Sequence, residues 1–171
     1  MSYCVTRTDL LSGTKQPSDI VSVKYMGSGS EASAIENGNV VKLSGLMTGE
    51  REIFKGVTPG KDTGINEIVL IATPEVMYDE RKRNLDEFRN EADAVCRGYR
   101  LRSGNIFSVT ADGIANAKAE SAALAVGDVI ELQAGVKLQA AAALTSGSTK
   151  VGTIIGIEAT GRYTYYVIQV A

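Results

Sequence analysis

Histidine is absent from all 171 residues, and this narrows the available chemistry more than any motif that is present. Its absence removes the commonest general base, the usual partner of a nucleophilic serine and the commonest metal ligand. Cys4 and Cys96 stand alone and far apart, with no CxxC or Cys/His grouping. Two reduced thiols, in a protein made in a reducing cytoplasm, are the plain reading. Carboxylates are the remaining candidates. Asp79, Glu80, Asp86, Glu87, Glu91 and Asp93 cluster, but Arg81, Lys82, Arg83 and Arg89 are interleaved with them. A carboxylate pair runs glycosidase chemistry only inside a cleft that separates the two pKa values, whereas a mixed-sign run is a solvated face. Elsewhere, Asp128 with Glu131 or Glu158 is the least poor acid pair. No catalytic residue, metal site or cofactor is assigned.

Two glycine-rich stretches resemble phosphate loops and fail on inspection. Gly27-Ser28-Gly29-Ser30 lacks the third glycine and the following helix of a dinucleotide fingerprint. Gly56–Thr63 is one residue short of a Walker loop, puts Asp62 after the lysine, and loses an N–H donor at Pro59. The third candidate is basic. In CRGYRLR, Arg97, Arg100 and Arg102 surround Tyr99, a composition that could clamp single-stranded nucleic acid. No second aromatic follows, nearby acids cancel the field and the net charge is −2, so nucleic acid is not the expected partner. Arginine and tyrosine are both enriched at protein interfaces, and that is the expectation for this strand.

The elements that would carry these residues read as β-structure. Val151–Glu158 and Arg162–Val170 form a terminal hairpin around Ala159-Thr160-Gly161. On its first strand Val151, Ile155 and Ile157 share a face; on its second, Tyr163 and Tyr165 look outward. Ile65–Thr73 is an apolar run suited to a central strand, and Asn37-Gly38 signals a hairpin turn before Val40–Leu43. Val95–Leu101, Asn105–Thr110, Val129–Leu132 and Val136–Ala140 are further strands. Gly49–Gly64 reads as mostly turn and loop, Leu85 and Phe88 pin a loop or short helix, 115–125 is a connector or short helix, and 141–150 is a flexible tip. No apolar run approaches the roughly 20 residues that cross a bilayer, and the first residues lack a signal-peptide core. Residues 1–26 are polar, carry Arg7 and Lys15, and gain order only by lying against their own body or a neighbouring chain. The expected fold is all-β: an extended N-terminal arm at 1–26, a β domain at 27–103, and a small β-barrel or sandwich at 104–171.

Several stretches together, VKYMGSGSEASAIENGNVVKL, GEREIFKG, NEIVLIATPEVMYDER, YRLRSGNIFSVTADGI, VGDVIELQAGVKL and the terminal YYVIQV, give a further pointer. The chain resembles capsid decoration (cement) or head-fibre proteins of tailed bacteriophages over most of its length after residue 23. The resemblance implies a virion protein without enzymatic activity. It would bind the outside of the head through the major capsid protein, self-associate or be present in many copies, and stabilise the shell. Neither membrane nor cofactor is implied. The interface expected from the residues comprises Arg7, Lys15, Arg97, Tyr99, Arg100, Arg102, Tyr163 and Tyr165. A second reading is a β-rich module that recognises carbohydrate or a host surface on the particle, through a shallow groove lined by Tyr163 and Tyr165.

Overall fold

The computed structural model describes residues 2–11, 19–27, 31–79, 81–82, 84–118 and 122–171. Among these it is all-β, with short 3-10 turns and no α-helix. Five strands close into a barrel: β1 (Ile20–Tyr25), β2 (Val40–Leu46), β3 (Ile53–Val57), β4 (Ile68–Ile71) and β5 (Val95–Arg100). Their order is β1-β3-β2-β4-β5, and β5 returns to pair antiparallel with β1, Val23 opposite Cys96. The interior is filled by Val23, Val41, Val69, Ile71 and Cys96. So narrow a barrel needs glycine where strands approach. At Gly98 an added Cβ would lie 2.9 Å from Val69 and 3.0 Å from Val23.

The second sheet holds β6 (Ile106–Thr110), β7 (Ile114–Asn116), β8 (Val129–Glu131), β9 (Leu138–Ala141), β10 (Lys150–Thr160) and β11 (Tyr163–Val170). Their order is β6-β11-β10-β8-β9-β7. The two sheets are separate but bury one core. Val40, Ile68, Leu70, Tyr99 and Leu101 on the outside of the barrel belong to the same cluster as Phe107, Val109, Ile130, Leu138, Ile154 and Ile168. β4 therefore faces the barrel interior with one edge of its pleat and the second sheet with the other. That is why all four of its residues, the apolar run expected to be central, are fully buried.

Several expectations need correction. Ile20–Tyr25 belongs to the barrel rather than to an arm; Val21, Val23 and Tyr25 alternate onto the barrel cluster, a period-2 signal hidden by polar neighbours. Gly49–Gly64 is mostly turn and loop as expected, but within it Ile53–Val57 forms β3, which pairs with both β1 and β2. Asn37-Gly38 makes no hairpin: β2 pairs with β3 and β4 instead. Asn37 is 1% exposed, and its side chain bonds the Thr73 backbone at both ends, accepting from N–H at 3.0 Å and donating to C=O at 2.8 Å. In the terminal hairpin, Thr160 pairs with Tyr163, leaving the two-residue turn Gly161-Arg162. Register irregularities at Lys150/Gly152 and at Ile154/Gly156 interrupt the alternation of β10. Val151 and Ile154 face the core, while Ile155 and Ile157 are exposed.

The N-terminal segment is extended as far as the 3-10 turn Thr8–Leu10, and residues 4–6 are buried against the body of the protein. Thr6 bridges Val109, Arg7 N–H donates to Ser108 C=O, and Thr110 N–H donates to Val5 C=O, so the segment covers the outer edge of β6. Lys15 and the stretches 12–18 and 28–30 lie outside the described residues. Burial pushes the Cys4 thiol up to about 12 and the Cys96 thiol up to about 11. At pH 8 the Cys4 thiolate is then roughly one part in ten thousand. Native protein is expected to take up no iodoacetamide at pH 8 within an hour, and two equivalents in denaturant. Mass spectrometry checks this, and rapid native labelling of either cysteine would contradict the placement.

Candidate functional site

The residues expected at an interface fall into separate groups. On β5 the side chains alternate. Tyr99 is 7% exposed and lies in the shared core, so it offers no stacking face. Arg97 is exposed on the same side of the strand, beside Ser22 of β1, whereas Arg100 projects from the opposite side beside Val69 of β4. Arg102 turns back to the buried Asp19, with Nε 2.7 Å and Nη2 2.6 Å from its Oδ1. The arginine strand is therefore not one basic surface.

Arg7, Tyr163 and Tyr165 do come together. The Arg7 guanidinium sits 5.4 Å from the Tyr165 ring centroid and is fixed by Asp9 at 2.7 Å. Tyr163 and Tyr165 lie 6.1 Å apart by ring centroids. Neither is a free contact: Tyr165 is 2% exposed, and the Tyr163 hydroxyl donates to Asp86 at 2.9 Å. The outer face of the hairpin is thus roofed by the N-terminal segment and by the 3-10 turn Leu85–Glu87. Burial, and then the Asp86 carboxylate, push the Tyr163 phenol up, so it remains a donor.

Asp86 also accepts from Arg162 at 3.1 Å, and its backbone C=O accepts from Tyr3 N–H at 3.0 Å. In the sequence Asp86 belongs to a mixed-sign run, and nothing local marks a contact with a strand so far along the chain. A polar groove of about 280 Å³ opens beside it, lined by Ser2, Asp86, Asp112, Arg162, Tyr163 and Tyr166. Its carboxylates are already engaged, Asp86 as above and Asp112 by the Ser2 hydroxyl at 3.5 Å.

The acid pair considered from sequence is divided in the same way. Asp128 receives Lys118 Nζ at 2.9 and 3.0 Å and Ala125 N–H at 2.8 Å, which ties the connector before β8. Glu131 is fully buried and accepts from Gln139 at 2.8 Å and Thr145 N–H at 2.7 Å. Each of these carboxylates fixes a loop to a sheet. Among the described residues, no three His, Cys, Asp or Glu side chains converge as a metal site.

A different surface is open. β8 pairs with β10 only as far as Thr153, and beyond Ile154 no strand among the described residues covers that edge of β10. Ile155 and Ile157 are 43% and 45% exposed on this stretch, and Val126, in the turn that bonds Ile154, is 60% exposed. An uncovered strand edge with aliphatic side chains is a template for pairing with another chain. Compared with known protein families, curated proteins and solved structures, the chain matches none.

Proposed function

We propose that this protein is a non-enzymatic structural component of a tailed-phage head that binds the outside of the capsid shell in many copies and stabilises it. The observation that carries the reading is the outer half of β10. There Ile155, at the bulge, and Ile157 are exposed beside an unpaired strand edge. Exposed aliphatic groups on an open edge are a liability for a lone chain and an asset for one that docks. The buried carboxylates, each anchoring a loop, suit a rigid body whose surface is its working part. Many equivalent sites on a shell would multiply a modest contact through avidity. The attachment surface is then the hairpin edge, in place of the arginine strand and the tyrosine face.

The test is co-sedimentation with shells assembled without this protein, followed by heating of the shells. Parent protein should pellet with the shells and raise the temperature at which they open. Ile155→Lys with Ile157→Lys should weaken pelleting at least about tenfold, while exposed substitutions shift folding by no more than about 0.5 kcal/mol each. Parent protein that neither pellets nor protects would remove the capsid reading. Unaltered binding by the double variant would remove the hairpin edge as the contact.

A further inference from the structure

The chain contains one Asn-Gly step, Asn37-Gly38, and this dipeptide carries chemistry of its own. A glycine nitrogen, with no side chain to shield it, can lose its proton and attack the Cγ of the preceding asparagine. The new N–Cγ bond closes a five-membered succinimide, and the Cγ–Nδ2 bond breaks as ammonia leaves with that proton. Water then opens the ring at either carbonyl. One opening leaves aspartate at position 37; the other leaves isoaspartate, whose backbone is longer by one methylene. Neither an enzyme nor an oxidant is required.

The folded protein engages every atom that would react. The nucleophile, Gly38 N–H, donates to Ile71 C=O at 2.8 Å. The Asn37 amide donates both its protons, to Thr73 C=O at 2.8 Å and to Glu75 Oε1 at 3.0 Å. Its Oδ1 accepts from Thr73 N–H at 3.0 Å and from Asn90 Nδ2 at 3.1 Å. That is the full hydrogen-bonding capacity of an amide, in a side chain only 1% exposed. Closing the ring means swinging this side chain over its own following nitrogen. All these bonds would break together, and buried groups of Thr73 and Asn90 would be left unpaired. The reaction therefore has to wait until this part of the fold opens.

The site also rejects what the reaction makes. An aspartate at position 37 has only acceptors where the amide donated. It would set an oxygen against Thr73 C=O and against the Glu75 carboxylate, with little water to separate the charges. Isoaspartate lengthens the backbone where Gly38 passes so near Cys4 that an added Cβ would overlap its sulfur. We infer that Asn37-Gly38 is a spontaneous modification site that the fold holds shut, and whose product bars an opened chain from folding again. Unfolding then becomes one-way with time. The inference does not depend on capsid attachment, because none of these residues lies on the β10 edge.

The test holds parent protein at pH 8.5 and 37 °C for several days, one sample in buffer and one in guanidinium chloride. Mass spectrometry then follows the tryptic peptide 25–42, which carries the site. In denaturant it should gain about 1 Da and separate into aspartate and isoaspartate forms. In buffer the gain should be at least about a hundredfold slower, because only opened molecules react. When the denatured sample is diluted to refold, the folded fraction should carry intact Asn37, with modified chains confined to material that fails to fold. Asn37→Asp, which copies one product, should either fail to refold or lose at least about 1 M in its urea midpoint at pH 7. Equal modification in buffer and in denaturant would overturn the proposal, and so would modified chains that refold in proportion to their abundance. An Asn37→Asp protein with the parent's urea midpoint would do the same.

Discussion

Replacing Gly38 by alanine is expected to cost about 2–5 kcal/mol and to lower the urea midpoint by roughly 1–2 M. Two causes add. Gly38 has φ +82°, where a side chain is strained by about 1–2 kcal/mol. The new Cβ would also overlap Cys4 Sγ and come within 3.0 Å of Thr6 Oγ1 and 3.1 Å of Val109 Cγ1. Those three residues sit where the N-terminal segment crosses the edge of β6, so the change pushes the segment off the sheet. Because much of the overlap is with one sulfur atom, Cys4→Ala should partly rescue it. A double-mutant cycle is expected to give about 1 kcal/mol or more of coupling, with the strain at φ +82° remaining. Strictly additive effects would mean that the segment does not pack on Gly38 in solution.

The same position shows how far the sequence could be read. Asn37-Gly38 was legible as a place where the chain needs a left-handed residue, and it has one. What the dipeptide could not reveal is why. The glycine is needed for the close passage of Cys4 from a distant segment, and Asn37 is turned inward to substitute for backbone on the Thr73 strand. The all-β class was legible from β-branched runs, and most strands of the second sheet were found to within a few residues. β1 is hard to read because polar residues separate its inward Val21, Val23 and Tyr25, and β3 because its Gly56, with Gly98 of β5, is small to leave room for Val23. A glycine filling a barrel reads as a loop residue in one dimension. Strict alternation fails in β10 because its register shifts twice, at Lys150/Gly152 and at Ile154/Gly156, so Val151 is buried while Ile155 and Ile157 are exposed.

The candidate contact residues were less legible than the fold, for a related reason. Arg102, Tyr163 and Tyr165 have the composition of an interface, but each finds its partner within the chain: Asp19, Asp86 and Arg7 respectively. Sequence spacing cannot distinguish an arginine that meets another protein from one that closes over a buried carboxylate. The exposed edge of β10 follows from which strands stop short. That is a property of pairing, visible only once β8 is seen to end opposite Thr153.

Glu131 offers the second large effect, and one with a pH signature. Glu131→Ala is expected to cost about 3 kcal/mol, since it strands Thr145 N–H and the Gln139 amide inside the protein. The loop 141–150, which reads as a flexible tip from its composition, is held by this carboxylate together with the Thr149 N–H bond to Lys61 C=O at 2.7 Å. Burial alone would raise the Glu131 pKa, but the hydrogen bonds from Thr145 and Gln139 outweigh it and hold the group below the usual carboxylate value. A depressed folded pKa means the unfolded chain takes up a proton first. The stabilisation is therefore complete above the unfolded value of about 4.3 and is lost as pH falls through the lower folded value. Glu131→Gln keeps the shape, removes the charge and sets an amide donor against two donors. Its deficit relative to the parent protein should be full at pH 7 and shrink steadily below about pH 4.5. Urea titrations of both proteins from pH 7 to pH 3 would show the two curves converging. A deficit that stayed constant over that range would mean that Glu131 is buried as the neutral acid, and that the loop is held by hydrogen bonds without the aid of charge.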